Sequence, residues 1–245
     1  AELTLPSSVD DAHRRRIEAA HLHFEAGDAK RAEARLRDLL DILAPGVLRG
    51  RALWMLARIR TYDAPLEAAD LFLQVLAQTQ GDLELEAIAH EGVASSYYYA
   101  LERLADTRTH TDAALALAHE LDDTQLAGDI LISKLGMERL LGDPSADATV
   151  EEALRLQAAA TDRRVVDQPL LAVGESWLWT DSHDRAREAF GHLLSKAEEI
   201  GDESGRPYLL FLLAQTECAT GDLRAGLARA QEGEAAAMQS GQPLF

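Results

Sequence analysis

The sequence predicts an all-α fold, an α-solenoid of about six antiparallel helix pairs, and three observations carry that prediction. Alanine, leucine, arginine and glutamate dominate while alternating β-branched runs are missing, which favours helix. Gly-Asp pairs punctuate the chain at 27–28, 81–82, 142–143, 201–202 and 221–222. The turns inside successive helix pairs recur about every 39 residues along the whole chain.

The Gly-Asp pair has a direct physical reading. Glycine takes the left-handed conformation that closes one helix, and aspartate accepts the first free N–H groups of the next. On these stops the first helices of the pairs are expected at 10–26, 47–62, 83–101, 124–141, 167–180 and 203–220. Their partners are expected at 29–43, 65–79, 104–121, 149–160, 183–200 and 223–239. The turns fall at Gly27, Ala64, Glu102, Gly142, Asp181 and Gly221, spaced 37, 38, 40, 39 and 40 residues apart. One such pair cannot bury its apolar face alone, so neighbours must stack.

Side-chain size supports this register. Seven positions before the turn, where paired helices approach, stand Ala20, Ala57, Ser95, Leu135, Gly174 and Ala214. Five positions after it stand Ala32, Ala69, Thr107, Ala186 and Gly226, the fourth repeat being unassigned. Four further on come Leu36, Leu73, Thr111, Phe190 and Ala230. Prolines at 45, 65, 144, 169 and 207 fall at helix starts or between helices.

Charge narrows the function classes. A net charge of −18 argues against nucleic acid or an anionic membrane as the direct ligand, since both need a basic face. Cys218 is the only cysteine, so no internal disulfide forms and no thiolate metal site can be built; a reducing cytoplasm is expected. The sequence has no long apolar run and no secretory leader pattern. It opens without methionine and closes on "SGQPLF", and residues 1–245 are read as one repeat domain cut from a longer chain.

Ala186 and Phe190 form the A-x-x-x-F element of tetratricopeptide repeats, and "GDLRAG" after Ala214 is another such element. With its longer period the chain resembles degenerate tetratricopeptide repeats, which implies a right-handed superhelix. The stretch "DRAREAFGHLLSKAEEIGDESGRPYLLFLLAQTECATGDLRAGLARAQEGEAAAMQSGQP" (184–243) also resembles the repeat region of large ATP-binding, LuxR-type transcriptional regulators of actinobacteria, similar in layout to the maltose regulator. That resemblance implies a sensor region lying between a P-loop ATPase and a helix-turn-helix domain. The phosphate-cradling G-x-x-x-x-G-K-[ST] is absent here, so neither ATP hydrolysis nor DNA binding is expected of this segment.

Catalytic signatures are missing. His21 and His23 diverge by about 200° on a helix, and His90 and His119 each lack the second histidine four residues on that a zinc protease needs. "VGESWLW" (173–179) starts like a nucleophile elbow, but Trp177 takes the place of its last glycine and the segment is helical. Cys218 is expected as a small buried hydrophobe in mid-helix, and the acidic pairs at helix starts complement the macrodipole.

What remains is the inner face, lined by the first helix of each pair. Projected onto it are His21 and Phe24; Arg51, Trp54, Arg58 and Tyr62; Gly92, Ser96 and Tyr99; Ile132, Gly136 and Arg139; Glu175 and Trp179; and Tyr208, Phe211 and Gln215. Aromatics beside arginines and small residues suit a protein, a peptide or a small-molecule effector, whose binding would change the curvature. No cofactor, no metal, no nucleic acid and no membrane is expected as a partner. The alternatives are a groove that is merely solvated, and a self-associating scaffold in which "QPLF" (242–245) drives a homodimer. In the run of tyrosines, Tyr98 is expected in the core, Tyr97 toward a neighbouring repeat, and Tyr99 in the groove.

Overall fold

The computed structural model describes residues 8–25, 28–61, 63–157, 164–203 and 205–240. Among them there is no strand and there are twelve α-helices: α1 (Val9–Glu25), α2 (Ala29–Leu40), α3 (Val47–Arg60), α4 (Pro65–Leu76), α5 (Leu83–Ala100), α6 (Leu104–Glu120), α7 (Thr124–Leu141), α8 (Ala146–Gln157), α9 (Pro169–Trp179), α10 (His183–Ile200), α11 (Arg206–Ala219) and α12 (Leu223–Ser240). Every boundary lies within three residues of its expected place.

The turn chemistry explains that agreement. Gly81, Gly142, Gly201 and Gly221 are left-handed, with φ of 87°, 65°, 71° and 88°. The following aspartates cap: Asp82 accepts from the Leu85 N–H at 3.0 Å and Asp222 from the Ala225 N–H at 3.0 Å. Gly27 lies outside the described residues, but Asp28 still accepts from the Arg31 N–H at 3.2 Å. Where the pattern lacks glycine, Leu101 (φ 53°), Arg103 (φ 52°) and Asp181 (φ 59°) take the left-handed conformation themselves. That costs an L-residue about 1–2 kcal/mol each. Pro65 and Pro169 open α4 and α9, and Pro207 lies in the first turn of α11, where a missing N–H costs nothing.

The chain separates into two compact units, Ala1–Ser133 and Lys134–Phe245, with the division inside α7. In the first unit each helix from α1 to α6 packs on the next, and in addition α1 packs on α3 and α3 on α5, so these first helices form their own layer. Its core runs through Ala20, Ala32, Leu36, Met55 and Leu56 to Ala57, Ala69, Phe72, Val93 and Tyr97, all at most 2% exposed. In the second unit α9 packs on α10, α10 on α11 and α11 on α12, around Phe190, Leu193, Leu209 and Leu213.

The small residues sit where helices approach. Ala20, Ala57, Ser95, Leu135, Gly174 and Ala214 are all buried, as are Ala32, Ala69, Thr107, Ala186 and Gly226. A Cβ built at Gly174 would lie 2.6 Å from Cε1 of Phe190. In the fourth repeat Ala146 and Val150 hold the inward positions, because α8 starts three residues earlier than the expected 149.

Three expectations are corrected. Cys218 is exposed, because α11 turns that position outward from the core. Tyr97, not Tyr98, is the core tyrosine, at 2% exposure; Tyr98 is half-buried. Ser96 and Gly92 are buried in α5 instead of lining its open face, and Gly92 abuts the Phe72 ring of α4.

Candidate functional site: the face of the first helices

In the first unit, α1 between Asp10 and His21, α3 between Val47 and Met55, the loops entering α3 and α5, and Ile88 of α5 enclose a groove of about 1020 Å³. His21, Arg51 and Trp54, three of the expected contact residues, line it together with His13, Gln80 and Ile88. Trp54 is half-buried, with one edge in the core beside Leu53 and Leu56. The Arg58 guanidinium lies 4.9 Å from its ring centroid, a cation–π contact that holds the indole in place. Arg51 Nη2 reaches Asp82 Oδ2 at 3.0 Å and Glu84 Oε2 at 3.3 Å, which ties α3 to the start of α5. Phe24 packs, partly buried, against the core beneath α1. Tyr62 lies outside the described residues.

The open face of α5 carries Glu84, Ile88, Glu91 and Tyr99, with Ser95 at its edge. Ser96 is 0% exposed, and its hydroxyl finds no hydrogen-bond partner among the described residues. One residue is about 100° of rotation on a helix, so a slip of one moves the site from Gly92 and Ser96 to Glu91 and Ser95. Glu91 is the residue the sequence reading missed. Its Oε1 accepts from the Ser95 hydroxyl and, at 3.3 Å, from the Ser133 hydroxyl of α7. Burial pushes the Glu91 carboxyl above the usual carboxylate range; the Ser95 bond opposes this and nearby Asp129 adds to it.

Behind this face, His90 Nδ1 of α5 and His110 Nδ1 of α6 lie 2.8 Å apart. Burial lowers both imidazoles, and the His90 charge further lowers His110.

In the second unit, Trp179 of α9 and Phe211 and Gln215 of α11 are exposed, and Glu175 of α9 and Tyr208 of α11 are half-buried. The Tyr208 and Phe211 rings stack at 6.1 Å and 23°. The Tyr208 hydroxyl donates to Glu175 Oε1, and burial raises the Glu175 carboxyl while that bond lowers it. Arg139 is spent on structure: its Nε donates to Ser176 Oγ at 2.6 Å and its Nη2 to Asp147 at 2.7 Å, which joins α7, α8 and α9. Ser176 is 1% exposed in the middle of α9, with no strand-to-helix elbow around it. Among the described residues no three His, Cys, Asp or Glu side chains group to hold a metal ion, and no helix is long and apolar enough to cross a membrane.

No family model matches the chain, and no curated protein matches it. Among solved structures it is similar to the crystal structure of BtubC (BKLC) from P. vanneervenii, with a TM-score of 0.64 and 16% identity over 94% of this chain and 92% of that one. At that identity the likeness carries the fold: an all-α solenoid of consecutively packed helix pairs.

Proposed function

We propose that the chain is a non-enzymatic interaction module that binds an extended segment of a partner protein on the face of its first helices. The observation that carries this reading is the 1020 Å³ groove, in which a half-buried tryptophan, two histidines and two arginines meet an apolar wall. A peptide that inserts one apolar side chain beside Trp54 while its backbone and polar groups meet Arg51, His13 and Gln80 suits this lining. The resemblance of 184–243 to LuxR-type regulators supports placing such a module in a cytoplasmic transcriptional regulator, where occupancy of the groove would be the sensed event.

Selection from a displayed random-peptide library tests the proposal. Peptides selected on the intact chain should lose at least about tenfold in affinity for Trp54→Ala, a typical anchor effect. Equal affinity for Trp54→Ala and for the parent would remove the groove from the reading.

A second reading rests on a separate observation. Leu223, Leu227 and Met238 of α12 are 67%, 60% and 78% exposed, three large apolar side chains on one side of the last helix, with Gln231 and Glu234 between the last two. They favour self-association through α12. Sedimentation from micromolar to millimolar concentration decides it, because a constant monomer mass excludes that scaffold role. The "QPLF" segment lies outside the described residues.

A further inference from the structure

We propose that the α9–α11 face of the second unit is a recognition site for a single cationic side chain, a guanidinium or alkylammonium, presented by a basic polypeptide. Tyr208 and Phe211 are the aromatic platform and Glu175 is the counter-charge.

Three features of the face lead to this chemistry. The first is the platform. Tyr208 and Phe211 are three residues apart on α11, their rings stack nearly parallel at 6.1 Å, and Phe211 is 43% exposed. Trp179, one turn beyond Glu175 on α9, is 53% exposed. A large exposed aromatic beside a second one is a poor use of apolar area unless something covers it. π-faces of this kind attract a desolvated cation.

The second feature is the carboxyl. Glu175 is half-buried, and its only partner among the described residues is the Tyr208 hydroxyl. No arginine or lysine among the described residues pairs with it. The arginines of α7, α10 and α11 pair elsewhere: Arg139 with Ser176 and Asp147, Arg187 with Glu217 and Asp184, Arg206 with Glu232, and Arg185 over the Trp177 ring at 4.3 Å.

The third feature decides between ligands. An apolar ligand lying on Phe211 would strip more water from Glu175, which worsens a desolvation that already raises its carboxyl. A cation relieves that penalty with a charge-assisted hydrogen bond and gains the ring faces at the same time. The Tyr208 hydroxyl, held by Glu175, keeps the ring oriented for it. The chain's net charge of −18 favours encounter with a basic partner over an acidic one.

The site does not depend on the groove of the first unit, and its test is separate. The probe is a short blocked peptide, Ac-Gly-Gly-Arg-Gly-Gly-NH2, titrated into the full chain at about 0.15 M salt, where exposed charges are largely screened beyond about 8 Å. The readout is NMR shifts of the Phe211 and Tyr208 ring signals, assigned by substitution. A peptide with citrulline in place of arginine keeps the shape and removes the charge. The expected result is saturable shifts of both rings with the arginine peptide and none with citrulline. Phe211→Ala and Glu175→Gln should each weaken binding by about tenfold, the size of one desolvated cation contact. Phe211→Ala trims an exposed ring, so this variant retains its fold and keeps the test valid if Glu175→Gln does not. Equal shifts with citrulline would overturn the proposal. So would shifts spread over the acidic surface and unchanged by Phe211→Ala, which mark non-specific attraction to a −18 chain.

Discussion

The Nδ1 atoms of His90 and His110 stand 2.8 Å apart, and their hydrogen bond joins α5 to α6. One ring must donate and the other accept, so the bond exists only while at least one Nδ1 is unprotonated. Burial holds both rings toward the neutral form against the pull of Glu86 on His90 and of Asp106 on His110, while Arg103 reinforces it and the Tyr97 ring closes the edge at 6.3 Å.

Acidification should therefore loosen this helix pair. Both imidazoles are lowered in the folded chain, so below the free histidine value of about 6.5 the unfolded chain binds more protons. Stability is fully present above that range and falls as pH drops from about 7 toward 5, with about 1 kcal/mol lost when the bond breaks. His110→Gln removes one titrating ring and should flatten the dependence. Thermal melts at half-unit pH steps check this, and an identical slope in the variant would show that the pair is not the cause.

The three tyrosines separate by role. Tyr97 is 2% exposed in the core with Phe72 and Val93, and its hydroxyl accepts from Arg103 Nη1 at 2.6 Å. Tyr97→Ala should cost roughly 3–5 kcal/mol, the range for a buried aromatic. Tyr99, 49% exposed, should change stability by less than about 0.5 kcal/mol when replaced by alanine. Tyr98→Ala should fall between them. Urea midpoints for the three variants give the order directly, and a Tyr98 loss larger than that of Tyr97 would contradict the packing.

The same tyrosines show where sequence reasoning stops. Helix boundaries were legible because their signals are local: a glycine free to turn left-handed and, as the very next residue, an aspartate that caps. The rotation of α5 was not. Residues 87–99 read Ala-Ile-Ala-His-Glu-Gly-Val-Ala-Ser-Ser-Tyr-Tyr-Tyr, where neighbours are chemically alike, so Ser95 for Ser96 and Tyr97 for Tyr98 cost the pattern nothing. In α3, by contrast, Arg51, Trp54 and Arg58 alternate with Ala52, Leu53, Met55, Leu56 and Ala57, and the contrast in polarity points three of its four candidates to the open side. Glu91–Ser133 and His90–His110 join residues 42 and 20 apart in different segments, a pairing that no local pattern encodes.

Two helical glycines should respond oppositely to alanine. At Gly174 the new methyl meets the ring of Phe190, which is itself 0% exposed and has nowhere to move. Overpacking of this kind costs about 1–3 kcal/mol and outweighs the roughly 1 kcal/mol that alanine gains in a helix. At Gly191, inside α10, a Cβ meets nothing within 4 Å. There only the helix preference acts, and Gly191→Ala should stabilise by about 0.5–1 kcal/mol. Phe190→Leu should restore part of the Gly174→Ala loss, which a double-mutant cycle measures.

Glu91 carries the last prediction. Its carboxyl is raised by burial in the folded chain although Ser95 and Ser133 both donate to it. A raised carboxyl means that the folded state holds its proton more tightly than the unfolded one, so the favourable contribution is complete below the unfolded value of about 4.3 and disappears as pH rises through the folded value. At neutral pH the ionised Glu91 is thus a cost, borne on a face where Asp129 adds like charge and Arg58 only partly offsets it. Glutamine keeps an oxygen for both hydroxyls and removes the charge. Glu91→Gln should melt a few degrees above the parent at pH 8, about 1 kcal/mol in a chain of this size, and the gap should close toward pH 4. A gap of constant size across that range would mean that shape, not charge, sets the difference, and a lower melting point at pH 8 would mean that the carboxylate is stabilising where it stands.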